Sequence, residues 1–249
     1  MSSNILVERH DTILRVQFTR PQKKNALTVD MYETAVSAFQ MADADPTIHA
    51  IYLTGSGDSF CAGNDLNSFL NNPESDAAHR YITTISKTET PIVAAVNGLA
   101  VGVGVTMLLH CDLVYAVETA VFNFAFIDLG VVPEAASTYL LPRLVGQRRA
   151  AELLMLGERF DAKTAVDLGI ANQAVVAAEL EQLAWGNAQK LASKPPKALH
   201  QTKQLLKRGV AQVVAETIPA ESKLFAERMR SDEARAIFAA ILQRSGRAS

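Results

Sequence analysis

The residues best suited to chemistry in this 249-residue chain lie in three short stretches. In one of them, Phe124 to Ser137, a single carboxylate, Glu134, follows a Gly-Val-Val-Pro turn and precedes Ala135, Ala136 and Ser137. If that turn is buried, such neighbours solvate a carboxylate poorly, and burial raises its pKa toward the range useful for moving protons. The same composition suits the first turn of a helix, where Pro is well placed and the dipole favours an acidic side chain. Local residues leave both readings open.

The other two stretches offer backbone donors. Cys61-Ala62-Gly63-Asn64-Asp65 follows a strand predicted over Ile48 to Thr54. Its small residues admit a ligand close to the main chain, and the polar turn leaves N–H groups exposed. Asn97 to Val105, with glycines at 98, 102 and 104, follows Pro91 to Val96, an apolar run of the kind buried on both sheet faces. It is predicted to enter a helix continuing to His110. Free N–H groups at such a junction can hold a developing oxyanion. The spacing fits neither GxGxxG nor the phosphate loop with its Lys-Ser/Thr, which argues against a nucleotide at this turn.

The elements that must position these residues are legible in outline. Ile5 to Val7 and Ile13 to Phe18 alternate as a β-hairpin. Thr28 is a natural N-cap after the loop Arg20 to Leu27, for a helix with Met31, Ala35, Ala38 and Phe39 on one face. Lys23 and Lys24 in that loop read as solvated charges or as partners of a phosphate. A polar-faced helix is expected over Pro73 to Lys87, with Asn71-Asn72-Pro73 as a hinge-like break, and strands over Asp112 to Val117 and Val121 to Phe126. Helices then follow at 137–144, 147–156, 162–168, 179–191, 196–208, 213–229 and 231–244. Strand signals end near residue 176, so the chain divides into an α/β core, 1–190, and a helical region, 191–249. Apolar Ile237, Phe238, Ile241 and Leu242 suggest that this tail packs on another subunit or folds back over its own site.

Composition narrows the field. A net charge of −2 does not advertise a nucleic-acid partner or a membrane surface. Cys61 and Cys111 form no disulfide framework or metal-ligand spacing, so no metal is expected. The N-terminus lacks a signal-peptide layout, and glycines interrupt the longest apolar run. A soluble, cytoplasmic protein is the expectation.

RPQKKNALT at 20–28, SFCAGNDL at 59–66, PIVAAVNGLAVGVGVTMLLHCDLVYA at 91–116 and FIDLGVVPEAASTYLLPRLVGQRRAAELLMLGERFDAKTAVDLGIAN at 126–172 resemble the crotonase family, the enoyl-CoA hydratase/isomerase superfamily. The resemblance implies an α/β spiral of ββα units with a C-terminal helical trimerisation region, assembled as a homotrimer or hexamer. It implies an acyl-CoA thioester substrate, with coenzyme A as part of the substrate and no permanently bound cofactor.

The resemblance also implies roles. The thioester carbonyl would sit between the main-chain N–H groups of Asn64 and Val103, and Val103, where many relatives carry Gly, would narrow the pocket. Hydratases of the family carry two glutamates at positions held here by Thr106 and Phe126, neither of which can act as a base. Glu134 is similar in place to the base of the Δ3-Δ2-enoyl-CoA isomerases, with an apolar wall from Phe126 and Val132. The implied activity is isomerisation of a 3-enoyl-CoA, with enoyl-CoA hydration as the alternative and Asp128 as the reserve base. The family's chlorobenzoyl-CoA dehalogenases resemble each other in using Asp at this place with a nearby Trp, whereas the only Trp here, Trp185, lies in the helix expected over 179–191. Main-chain groups of Ala62, Asp65 and Leu66 would meet the adenine, Lys24 to Ala26 would lie along the pantetheine or phosphates, and Arg244 could reach the phosphates.

Overall fold

The computed structural model describes residues 4–72 and 75–246, apart from the side chains at 69, 242 and 244–246. Its larger sheet begins with the hairpin expected from alternation, β1 (Ile5–His10) antiparallel to β2 (Ile13–Phe18). It continues in parallel through β3 (Ala50–Gly55), β5 (Ile92–Val96), β7 (Leu113–Val117) and β10 (Gln173–Val175). β3 and β5 are buried along their whole length, which is why β5 reads as an unbroken apolar run and β3 as one interrupted only by Thr54, whose hydroxyl donates to Ala95 O. A second sheet takes the order β4 (Ser59–Cys61), β6 (Leu99–Val101), β8 (Val121–Asn123) and β9 (Phe160–Asp161). From β3 to β8 successive strands alternate between the two sheets. This is the ββα spiral.

Helices cover both layers. Thr28 caps α1 (Val29–Ala44), its hydroxyl accepting from Met31 N at 3.4 Å. The short α2 spans Leu66–Asn71, and α3 (Ala77–Lys87) buries Ala77, Tyr81 and Ile85 at helical spacing against α1. Pro73, the first residue of the helix expected there, lies outside the described residues together with part of the hinge-like break. α4 (Val103–Thr106) is one turn long and gives way to a 3-10 turn, Met107–His110, so the helix expected to run to His110 changes winding halfway. β8 stops at Asn123 rather than Phe126, because Phe126 N donates to Phe124 O and the chain bends into a second 3-10 turn, Ile127–Leu129.

Then come α5 (Ser137–Val145), α6 (Gln147–Leu156), α7 (Ala162–Asp167), α8 (Ala177–Ala192), α9 (Pro196–Arg208), α10 (Ala211–Met229) and α11 (Asp232–Gly246). α8 packs on β3, β5 and β7. α9 is tied to the sheet by buried Lys203, whose ammonium donates to Thr90 O at 2.8 Å and Asp112 Oδ2 at 2.7 Å. α10 lies on α3 and α5, and α11 on the 3-10 turn at 127–129. The tail therefore folds back over its own core, one of the two arrangements its apolar faces allowed. No described helix is long and apolar enough to cross a membrane.

Three very short elements, β4, β6 and β9, carry no sequence signal of their own. They exist because of their neighbours. β4 and β6 run parallel and adjacent, with Ser59 opposite Leu99 and Cys61 opposite Ala100. A Cβ added to Gly104 would lie 2.3 Å from the Cys61 carbonyl oxygen. Gly104→Ala should therefore destabilise the protein by about 1–3 kcal/mol or more, since backbone rather than a pliant side chain must move. A drop in the urea midpoint checks this; an unchanged midpoint would show that the two turns are not in close contact.

Candidate active site

The parallel pair β4 and β6 delivers two turns side by side. After β4, Gly63 adopts φ +94°, and after β6, Gly102 adopts φ +57°, both costly for any residue with a Cβ. A Cβ on Gly63 would come within 3.1 Å of Val101 O. In the first turn, Leu27 N donates to Gly63 O at 2.8 Å and Asp65 N to Leu27 O at 2.9 Å, which uses the groups on either side of Asn64. The Asn64 N–H has no acceptor among the described residues. In the second, Val103 opens α4 and Gly102 N donates to Asn123 O, so the Val103 N–H is one of the helix-start donors that no preceding turn can satisfy. The Val103 side chain is buried in the core and does not line the cavity described below, so it does not narrow that pocket as expected.

Glu134 is 4% exposed, and its Oε1 is buried without a hydrogen-bond partner. Burial, and secondarily the charge of Glu221, pushes its carboxyl up to about 8. Glu134 does not start a helix. α5 begins at Ser137, Ala135 and Ala136 stand in the left-handed region at φ +63° and +53°, and the Glu134 side chain caps nothing. The charge of Glu134 is felt by Tyr32 in α1 and by Cys61 in β4, whose thiol burial alone drives most of the way up to about 12. The Tyr32 hydroxyl in turn donates to Asn64 Oδ1. His110, at the end of the 3-10 turn that follows α4, meets Ala135 O at 2.8 Å through Nε2. Because a carbonyl only accepts, that nitrogen carries the proton, and burial keeps the ring neutral by lowering its pKa to about 4. All three stretches singled out for chemistry thus converge.

Glu134 opens into a cavity of about 440 Å³ lined by Leu70, Ala78, Ile82, Phe225, Ala226 and Met229. The apolar wall therefore comes from α2, α3 and α10. Phe126 and Val132 are not part of it, because Phe126 is turned into the core ahead of the 3-10 turn. Polar groups mark the rim, including His79, whose Nδ1 lies 2.9 Å from Ser222 Oγ, and Asp76, whose Oδ1 accepts from Arg80 Nε at 2.9 Å. Asp128 is exposed, faces Gly157 and does not line this cavity. Trp185 packs against Tyr52 and His10 instead.

The remaining expected residues form a strip beside the first turn. Ala62 N donates to Lys24 O at 3.0 Å, which places Lys24 and Ala26 next to Ala62, Asp65 and Leu66. The N–H groups of Ala62 and Asp65 are therefore already engaged within the protein. The Asp65 carboxylate accepts from Arg20 Nη1 at 2.7 Å and from Ser68 N at 2.8 Å, so it holds the loop and starts α2. Lys24 is exposed. Arg244 lies in α11 with a side chain outside the described residues.

Sequence reasoning missed Asn25, Tyr32, His110 and Glu221. Asn25 is fully buried and its amide donates to Ser56 O and Ser59 O at 2.9 and 2.6 Å, strapping one loop to the other. Glu221 had a readable signal, since it falls on the buried stripe Val214, Ile218, Glu221 of α10, where a carboxylate needs a reason to be.

Comparison with known proteins adds the lineage. Residues 8–243 match a family model described as Enoyl-CoA hydratase/isomerase. The chain is 34% identical over 216 residues to Enoyl-CoA delta isomerase 2 of Rattus norvegicus, covering 83% of this chain but 55% of the rat protein, so it spans little more than half of that relative. It is 30% identical to the peroxisomal Enoyl-CoA delta isomerase 3 of Mus musculus, over 93% of this chain and 76% of that one. Among solved structures, the enoyl-CoA hydratase/isomerase from Pseudoalteromonas atlantica T6c superposes with TM-score 0.93 at 37% identity, covering 97% of this chain and 98% of that one.

The raised pKa of Glu134 makes stability pH-dependent. Between about 4.5 and about 8 the folded state holds a proton that the unfolded chain releases, so stability falls as pH rises through that window. Glu134→Gln should therefore match the wild type near pH 4.5 and exceed it by roughly a few kcal/mol above pH 8. Denaturation midpoints at pH 5 and 8.5 check this, and a constant difference across both would count against a buried, unpartnered carboxyl.

Proposed function

The chain belongs to the enoyl-CoA hydratase/isomerase family, and from that premise we propose that it converts a 3-enoyl-CoA to a 2-enoyl-CoA by moving a proton from C2 to C4 through Glu134. The observation that carries this reading is a buried carboxyl with no hydrogen-bond partner on Oε1, facing an otherwise mostly apolar cavity. As carboxylate, Glu134 takes the C2 proton. The electrons pass into the thioester, whose oxygen lies between Asn64 N–H and Val103 N–H, each donor worth about 2.7–4 kcal/mol in the transition state. The neutral Glu134 then returns the same proton to C4 of the dienolate, and nothing is gained or lost overall. Leu70, Ile82, Phe225 and Met229 keep water away from the intermediate.

Hydration would need a second carboxyl to activate water. At the two places where hydratases carry theirs by resemblance, this chain has Thr106 and Phe126, both buried and neither basic. Lys24, Ala26, Ala62, Asp65 and Leu66 form the strip along which the coenzyme A part would lie, with Arg244 as a further phosphate contact. Exposed Leu205, Leu206, Met155 and Leu156 support the self-association into a trimer or hexamer expected for the chain.

Incubation with 3-enoyl-CoA should produce the absorbance of a conjugated 2-enoyl thioester, and absence of conversion across acyl chain lengths would sink the reading. Glu134→Gln should lower kcat by about 10²-fold or more while binding of the acyl-CoA stays nearly intact. In the wild type, kcat/KM should rise with pH and level off above about 8, where Glu134 is ionised. Sedimentation should give at least three times the 26.9 kDa chain mass; a monomer would refute the assembly.

A further inference from the structure

Glu221 lies 87 positions beyond Glu134, on a different helix, yet it is the group that ends the turn on which Glu134 sits. Its carboxyl is 5% exposed. Oε2 accepts from Ala136 N at 2.6 Å, and Oε1 accepts from Thr138 N at 3.0 Å and from the Thr138 hydroxyl. Burial pushes this carboxyl up, and the three donors, from Thr138 and Ala136, act against that by favouring the ionised form. Ala136 is the N-cap residue of α5, a position where Ser, Asp or Asn ordinarily supplies the oxygen that satisfies the first helical N–H groups. Here that oxygen comes from α10. From the other side His110 donates to Ala135 O, so two successive left-handed alanines are gripped at one carbonyl and one N–H. Non-glycine residues in this conformation persist only where the surroundings over-determine them.

We propose that Glu221 is a positioning residue for Glu134: by gripping Ala136 and Thr138 from α10 it fixes the strained Ala135–Ala136 turn and so aims the Glu134 carboxyl, unpartnered, into the cavity. The inference rests on the isomerase reading for its consequence in turnover, and on geometry alone for its structural half. Glu221 adds its own charge near Glu134. The other titratable groups facing Glu134 are Tyr32 from α1 and Cys61 from β4, with neutral His110 behind the turn and His79, Asp76, Arg230 and Arg235 around the cavity. Of these, Glu221 is the one whose charge raises the Glu134 pKa.

The test compares the full chain with Glu221→Gln, which keeps the shape, loses the charge and cannot accept from every present donor. The titration of Glu134 is followed in the free protein by its carboxyl 13C resonance, assigned with Glu134→Gln, and kcat and KM are measured on 3-enoyl-CoA. In Glu221→Gln the Glu134 titration should move down by about 1 pH unit. The kcat should fall by about 10²-fold with KM changed much less. An unmoved titration overturns the proposal, whether or not kcat falls, since a fall alone marks a general loss of structure. If the wild type converts no 3-enoyl-CoA, the isomerase reading fails while the titration still decides the role of Glu221. If Glu221→Gln does not fold, Thr138→Val, which deletes one donor at the rim, should lower kcat roughly 10-fold with restoration by Thr138→Ser; wild-type kcat in Thr138→Val then overturns the proposal.

Discussion

The structure depends on keeping one carboxyl dry without giving it a partner. A buried carboxylate in a protein interior is normally paired or hydrogen-bonded, and it shifts its pKa when it is not. Glu134 takes the second course, and the surrounding elements explain how it is held there. α3 and α10 close an apolar cavity over it, His110 and Glu221 hold the turn behind it, and neither offers its side chain a hydrogen bond. Two buried glutamates stand close together in opposite circumstances. Glu221 is surrounded by donors, Glu134 by hydrocarbon, and this difference separates their roles.

The second constraint is the meeting of two backbones. Asn64 and Val103 are 39 positions apart, and the turns that carry them lie side by side because β4 and β6 are adjacent parallel strands. Parallel strands place equivalent ends together, so the turns that leave them point the same way. Gly104 then permits an approach to Cys61 O that a side chain would block, Gly63 sits tightly against Val101 O, and Gly102 supplies a left-handed turn. Tyr32 and Asn25 fasten this arrangement from α1 and from the loop before it, both through side-chain hydrogen bonds that no local pattern announces.

Much of the fold was legible because burial leaves a periodic trace. β5 is apolar throughout and β3 nearly so since both faces are covered, and α3 shows its buried face at every fourth residue. Thr28 was legible as a cap because the cap bond is local. β4, β6 and β9 were not, being two or three residues long and stabilised by a neighbouring strand rather than by propensity. The apolar wall expected from Phe126 and Val132 belongs instead to α2, α3 and α10, because residues near Glu134 in sequence need not lie near its carboxyl in space.

The sequence by itself determined the chemistry on offer: a lone carboxylate in a Pro-Glu-Ala-Ala setting, two glycine-bearing turns after apolar strands, and an order of motifs that identifies the family. These are properties of residue type and short-range spacing. Tertiary structure decided whether Glu134 caps a helix or faces a cavity, and it chose the cavity. The reason is that the N–H groups at the start of α5 are satisfied from α10 by Glu221, which leaves the Glu134 carboxyl unemployed and buried. Such a long-range substitution of one hydrogen-bond acceptor for another leaves no local trace in the chain around residue 134.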